Sequence, residues 1–248
     1  MAVSLGEGQM KQVYRFVATL WLVIAVAGIG RAQTISPVIQ EYQQKADSRF
    51  QVYNDGDVPL TVMLEPFSFS VDSKGTATFR KLDAGIHVQL SATSFRVQPR
   101  QTYFVFYKAS AEILPGWFCI YATFTGATTS SGLKLAYKLP HTVYLLDKTP
   151  LDGGQVHVVR AETSGEADKV RIIAEVENTG SGFGRVRQIE VTTALGKRAF
   201  PGFPLFPGQK RLVELDWPGP GTPQNIVLNF DRFKAEAKLQ TISAQSQR

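Results

Sequence analysis

Residues Val170-Arg171-Ile172-Ile173-Ala174-Glu175-Val176-Glu177-Asn178-Thr179-Gly180 decide the fold. In an extended chain successive side chains point to opposite faces. Val170, Ile172, Ala174 and Val176 therefore share one face, and Arg171, Glu175 and Glu177 lie mostly on the other. Such alternation marks a strand with one face on a core and one in water. The run stops at Asn-Thr-Gly, a turn signal.

Working outward, the same pattern recurs. Strands are expected at Val156–Ala161, Val170–Glu177, Val186–Thr192, Arg198–Phe200, Arg211–Trp217, Ile226–Phe230 and Ala235–Leu239. About seven short strands in about 95 residues suit an immunoglobulin-like sandwich. Upstream, strands are expected at Ile35–Tyr42, Arg49–Tyr53, Leu60–Glu65, Thr76–Leu82, Ile86–Leu90, Tyr103–Lys108, Trp117–Phe124 and Leu133–Leu146. Turn residues break the pattern regularly, with Asn54-Asp55-Gly56-Asp57 the sharpest cluster. Helical spacing is nowhere sustained after residue 32. The connector Asp147–Gly154 separates the two series. The fold class is therefore all-β, two immunoglobulin-like β-sandwich domains in tandem after an N-terminal signal helix. The expected boundaries are a signal at 1–32, domains at 33–148 and 149–242, and a polar tail at 243–248. The stretch from Gln240 onward is polar and is expected to be loose.

The N-terminus sets the compartment. Lys11 and Arg15 precede the apolar run Phe16–Gly30, and Gly30-Arg31-Ala32 places small residues at a cleavage site. The run is short of the roughly 20 apolar residues of a membrane span. An uncleaved anchor remains the alternative, because Arg31 flanks the run as in a short membrane helix. Lys11, Arg15 and Arg31 against Glu7 give this segment +2, which leaves +4 of the formal +6 to the rest. That excess is scattered, so it reads as solubility rather than a nucleic-acid surface. Cys119 is the only cysteine, so no internal disulfide forms. Inside Trp-Phe-Cys-Ile-Tyr it reads as a small buried hydrophobe.

Catalytic chemistry is not in view. His87, His141 and His157 are each alone in strand-like sequence, without a second ligand at metal spacing. No Gly-x-Ser-x-Gly elbow occurs. Gly180, Gly182 and Gly184 are followed by no helix, so they read as a long hairpin turn rather than a phosphate loop. Asp152 and Glu162 stand as isolated surface charges. The expectation is a protein that is not an enzyme and carries no cofactor or metal. Two strands are unusual: Tyr103–Tyr107 and Trp117–Tyr121 are apolar on both faces. Either another part of the chain covers the extra face, or it borders a surface that binds another protein.

At this point the chain resembles the PapD-like periplasmic chaperones of chaperone–usher pilus assembly. The likeness rests on Phe50-Gln51-Val52-Tyr53-Asn54-Asp55-Gly56-Asp57-Val58-Pro59 and on Phe95-Arg96-Val97-Gln98-Pro99-Arg100-Gln101. It continues in Leu133-Lys134-Leu135-Ala136-Tyr137-Lys138, running on through Pro140 to Val143-Tyr144-Leu145. Val176–Gly180 and Leu205-Phe206-Pro207-Gly208-Gln209 look like the matching landmarks of the second domain. It covers nearly all of Gln33 to Leu239.

The resemblance implies donor-strand complementation, in which the chaperone lends a strand to a subunit that lacks one. Leu133, Leu135, Tyr137 and Leu139 match the alternating donors. From the pattern alone they read equally as the core face of an ordinary last strand. The family anchors the subunit's C-terminal carboxylate with an Arg in the first strand and a Lys late in the donor strand. Those positions fall near Pro37 and Thr142, and neither is basic. Lys138, His141 and Arg49 are the candidate substitutes. The implied partners are a pilin-like or other exported β-rich subunit and an outer-membrane usher. The implied location is the periplasm, with no nucleic acid and no stable membrane association once the signal is cleaved. The rival is a structural, adhesive or carbohydrate-binding tandem-sandwich envelope protein, with Trp117, Trp217 and Tyr121 as its candidate aromatic platform.

Overall fold

A computed structural model describes residues 33–128, 134–165 and 170–242 of the 248-residue chain. The expected signal at 1–32, the expected tail at 243–248 and Leu133 lie outside the described residues.

The first ten strands build one sandwich. They are β1 (Thr34–Ser36), β2 (Ile39–Gln43), β3 (Lys45–Tyr53), β4 (Leu60–Val71) and β5 (Ala77–Lys81). Then follow β6 (Ile86–Leu90), β7 (Ser94–Val97), β8 (Thr102–Ala111), β9 (Gly116–Thr128) and β10 (Lys134–Leu146). One sheet runs β1-β3-β8-β6, and the other runs β2-β10-β9-β4-β5 with β7 also on β4. Their facing sides close on Phe50, Val52, Val62, Val105, Phe118, Ile120, Phe124, Val143 and Leu145, all buried. Fully burying such side chains contributes about 1.5–3 kcal/mol each.

The single strand expected at Ile35–Tyr42 is in fact two, in different sheets. Pro37 has no N–H to give to a ladder. The chain therefore leaves β3 at Ser36 and rejoins the opposite sheet, where β2 runs parallel to β10. The strands β4 and β9 also extend well past their expected ends. Their outer faces, Phe69 and Cys119 included, are covered by the second sandwich, so the pattern there is not one-sided.

The second sandwich contains β11 (Val156–Ser164), β12 (Val170–Asn178), β13 (Gly184–Arg185), β14 (Gln188–Thr193) and β15 (Gly196–Pro201). It continues with β16 (Pro204–Leu205), β17 (Lys210–Trp217), β18 (Asn225–Asn229), β19 (Lys234–Lys238) and β20 (Gln240–Thr241). Its sheets run β17-β12-β11-β20 and β15-β14-β18-β19, with β13 and β16 paired apart. The alternation read on β12 holds: Ile172, Ala174 and Val176 are buried and Arg171 is exposed. Two expectations fail here. Gln240 and Thr241 are polar but not loose, because they pair with Glu162 and Thr163. The glycines at 180–184 do not form a hairpin, since β12 and β13 belong to different sheets.

One residue type builds the corresponding turn in each sandwich. Asn54 closes the crossing from β3 to β4 by donating to the carbonyls of Val58 (2.8 Å) and Val97 (3.2 Å) and accepting from Gly56 N–H. Asn178 does the same after β12, donating to Gly182 (2.8 Å) and Phe206 (3.0 Å) and accepting from Gly180 N–H. Both amides are fully buried. Buried backbone carbonyls need partners, and only a side-chain amide offers donor and acceptor together at this reach.

The two sandwiches meet through an aromatic cluster. Phe206 lies 4.7 Å from the Trp117 ring, and Phe183 lies 4.7 Å from Tyr144. The covered faces of β9 and β10 are those of Cys119 and Tyr144. At the rim Glu41 pairs with Arg185 and with Arg187 (2.9 Å), and Leu212 N–H donates to Ser73 (2.7 Å). The second sandwich thus covers the lower half of β10 and leaves the upper half free of it.

Candidate functional site: the half-open edge of β10

Strand β10 is paired along one side with β9, from Lys134 opposite Thr128 to Leu145 opposite Gly116. On its other side β2 reaches only Thr142–Leu146. Among the described residues, Lys134–Pro140 therefore presents an unpaired edge. Thr142 N–H points outward to Val38 O (2.7 Å), and Leu146 O accepts from Gln44 N–H (2.8 Å). By alternation, Lys134, Ala136 and Lys138 also turn their N–H and C=O outward, and Pro140 turns out a carbonyl alone. The ladder with β9 slips once, between Leu135 and Tyr137. There β9 takes the extra residue, next to Gly126 at φ +104.

The odd-numbered side chains turn inward. Tyr137 stacks on Phe124 with centroids 5.0 Å apart and planes 8° apart, and Leu139 packs against the same core. Leu135 sits at the mouth and remains 42% exposed. The Tyr137 hydroxyl is buried without a hydrogen-bond partner among the described residues, and burial pushes its pKa up to about 12. Both earlier readings of these residues are thus visible at once. Tyr137 and Leu139 belong partly to the core, while Leu135 and the backbone face outward.

The three candidate anchors are not brought together. His141 is fully buried and stacked on Phe50 at 4.4 Å. Its Nδ1–H donates to Pro37 O (2.7 Å) and its Nε2 accepts from the Tyr107 hydroxyl (3.1 Å). Burial lowers its pKa to about 4, so it is a neutral core group with both nitrogens engaged. Lys138 is exposed on the outer face of the six-stranded sheet, 6.0 Å from the Phe67 and Tyr121 rings. Arg49 lies across the sandwich, over Phe104 at 4.9 Å on the outer face of the other sheet.

The positions near Pro37 and Thr142 are adjacent, as the Thr142–Val38 bond shows. A cation near Thr142 comes from the second sandwich. Arg211 and Thr142 line a pocket of about 220 Å³ together with Phe69, Phe79, Tyr144 and Pro204. The Arg211 Nε is buried without a partner among the described residues, and burial lowers the guanidinium pKa. Sequence reading missed Arg211 because it stands in an ordinary alternating strand with no local signal.

The doubly apolar strands divide between the two explanations. On β9 the extra face is covered by the second sandwich, and Cys119 is buried as expected. On β8, Phe104 and Phe106 remain 44% and 54% exposed. The aromatic platform of the rival reading is not exposed: Trp117 donates its indole N–H to Phe69 O (2.7 Å) under Phe206, and Trp217 is buried.

No protein-family model matches the chain, and no curated protein sequence matches it. Solved structures do. The YadV chaperone aligns with a TM-score of 0.50 at 11% identity, over 84% of this chain and 99% of that one. The SafB chaperone, solved in complex with the SafA pilin of Salmonella enterica, gives 0.49 at 12% identity over 84% and 96%. The class 5 fimbriae chaperone CfaA gives 0.48 at 11% over 85% and 100%. The likeness to YadV bears out the resemblance at the level of fold, two immunoglobulin-like sandwiches in tandem.

Proposed function

We propose that this protein is a periplasmic chaperone that captures an exported, β-rich subunit on the open edge of β10. The observation that carries this reading is the half-pairing of that strand: among the described residues Lys134–Pro140 is bonded on one side only, while Thr142–Leu145 is bonded on both. An unpaired edge invites strand addition. A client that lacks one strand gains a ladder from the Lys134, Ala136 and Lys138 backbone and covers Leu135. Each net ladder bond adds about 1 kcal/mol. Burying Leu135 adds a fraction of the 1.5–3 kcal/mol of a whole side chain, about 1 kcal/mol given its present exposure. The fold shared with a chaperone and the apolar run at Phe16–Gly30 support the same role and compartment. An outer-membrane usher is the downstream partner this role calls for.

Arg211 is the residue we assign to the client's C-terminal carboxylate, in place of the missing basic pair at Pro37 and Thr142. Its guanidinium lines the apolar pocket that Thr142 also lines, and its Nε has no partner there among the described residues.

Co-expression with a pilin-like subunit followed by co-purification tests the reading. Leu135→Glu places a carboxylate at the mouth of the edge without disturbing the inward-packed Tyr137. Loss of capture at an unchanged unfolding midpoint is the expected result. Undiminished capture by a folded Leu135→Glu variant would remove β10 as the capture strand.

A further inference from the structure

We propose that the first sandwich has a second docking edge, on β8 beside Phe104, which takes an extended protein segment carrying an acidic side chain between apolar ones. The strands β8 and β10 belong to different sheets, so this edge can be filled while β10 holds a client.

Along β8 the neighbour β6 pairs only from Ala111 back to Tyr107, where Leu90 stands opposite. One residue further, Ser91 takes the Phe106 N–H on its hydroxyl (3.0 Å) and gives its own N–H to Phe106 O (2.8 Å). The chain then crosses to the other sheet, where Thr93 O accepts from Leu64 N–H and β7 runs along β4. In an antiparallel ladder, alternate residues turn their backbone groups to the same side. Phe104 therefore turns its N–H and C=O to the side that β6 has left, and neither group has a partner among the described residues. A free rung of this kind accepts an added strand.

The side chains around that rung select the occupant. Phe104 and Phe106 are exposed on the outer face of the sheet, where polar residues are the rule. Arg49 stands opposite Phe106 on β3 and leans across β8, so that its guanidinium lies 4.9 Å over the Phe104 ring and 6.0 Å from that of Phe106. Stacking holds the cation in place and leaves its N–H donors free. No carboxylate pairs with it among the described residues, because Asp47, the nearest outward acid on β3, pairs with Lys108 (3.3 Å). A residue opposite Phe104 on an added strand sets its side chain beside that ring, within reach of the guanidinium. A glutamate there supplies the missing charge. The residues on either side of it point to the inner face, toward Phe95 and Tyr103, which stack at 3.9 Å and are half-buried. Apolar side chains fit there. Aromatic and arginine side chains are also the ones that most often carry interface energy.

Titration of the purified, isotopically labelled protein with the peptide acetyl-Thr-Val-Glu-Val-Thr-amide, followed by NMR, tests this. The Phe104 amide and the Arg49 Nε–H should shift together and saturably, while the Ala136 and Lys138 amides stay where they are. Replacing the peptide's Glu by Gln should weaken binding about threefold or more at low salt, and added salt should close that gap. Arg49→Gln, a surface change, should bind the two peptides equally, and Phe104→Ala should lose affinity for both. A Phe104 amide that never moves overturns the proposal, as do equal affinities of the wild type for the two peptides, or discrimination that survives Arg49→Gln. Shifts confined to Ala136 and Lys138 also overturn it and leave the capture reading standing. A response of the Phe104 and Phe106 rings to maltotriose, but not to the peptide, would overturn it in favour of a neutral sugar.

Discussion

Acidification should loosen the first sandwich at one residue, His141, where the open edge of β10 begins. The imidazole is buried against Phe50, gives Nδ1–H to Pro37 O and takes the Tyr107 hydroxyl proton on Nε2. A proton on Nε2 would force that hydroxyl to accept instead of donate and leave a charge in the core. Burial accordingly lowers the folded pKa from 6.5 to about 4. With the folded pKa below the unfolded one, the unfolded chain takes the proton first as pH falls. Stability is then lost from about pH 6.5 downward, and the loss levels off below about pH 4. Proton linkage between those two values costs about 2 kcal/mol between pH 7 and pH 5, and about 3 kcal/mol by pH 4. Urea unfolding of the wild type and of His141→Gln across that range reads it out. Carboxylates titrate alike in both proteins, so the difference in slope belongs to His141. Identical pH dependence in the two proteins would refute the reasoning. So would an imidazole resonance of folded His141 titrating near pH 6.5.

Other perturbations address the joints of the molecule. Phe206→Ala empties the aromatic cluster beside Trp117 and Phe183, costs about 3–5 kcal/mol, and should split unfolding into two calorimetric transitions; one transition at the old midpoint contradicts this. Asn54→Ala strands the carbonyls of Val58 and Val97 and the N–H of Gly56, for a loss of about 2–3 kcal/mol in urea unfolding. A loss below about 0.5 kcal/mol would mean the turn stands without the amide. Burial pushes the Cys119 thiol up to about 11, so a thiol reagent at neutral pH should label the protein only after denaturation. Rapid labelling of the native chain would place Cys119 at the surface.

Most of the strands were legible because a sandwich writes its faces into the chain. Ile86–Leu90 was read to the residue, and β12 showed its buried side outright. Reading failed where two demands fell on one stretch. Pro37 interrupts an otherwise extended run, and only the two ladders reveal that the halves serve different sheets. The strand expected at Leu60–Glu65 runs on to Val71, where Phe69 is buried by Phe206, which stands far away in sequence. The site was half legible. Leu135, Tyr137 and Leu139 were singled out by alternation and resemblance, yet alternation does not say which side of a strand is paired. That depends on where β2 stops. Arg211 was invisible for the same reason, since its pocket is made by two sandwiches meeting.

Hydrogen exchange along β10, with and without a bound pilin-like subunit, tests the capture edge most directly. In the free protein the Ala136 and Lys138 amides should exchange fast while Thr142, held by Val38, is protected. On capture Ala136 and Lys138 should become protected and Thr142 should not change. A subunit that binds while Ala136 and Lys138 continue to exchange freely would contradict the account and move the binding surface off β10.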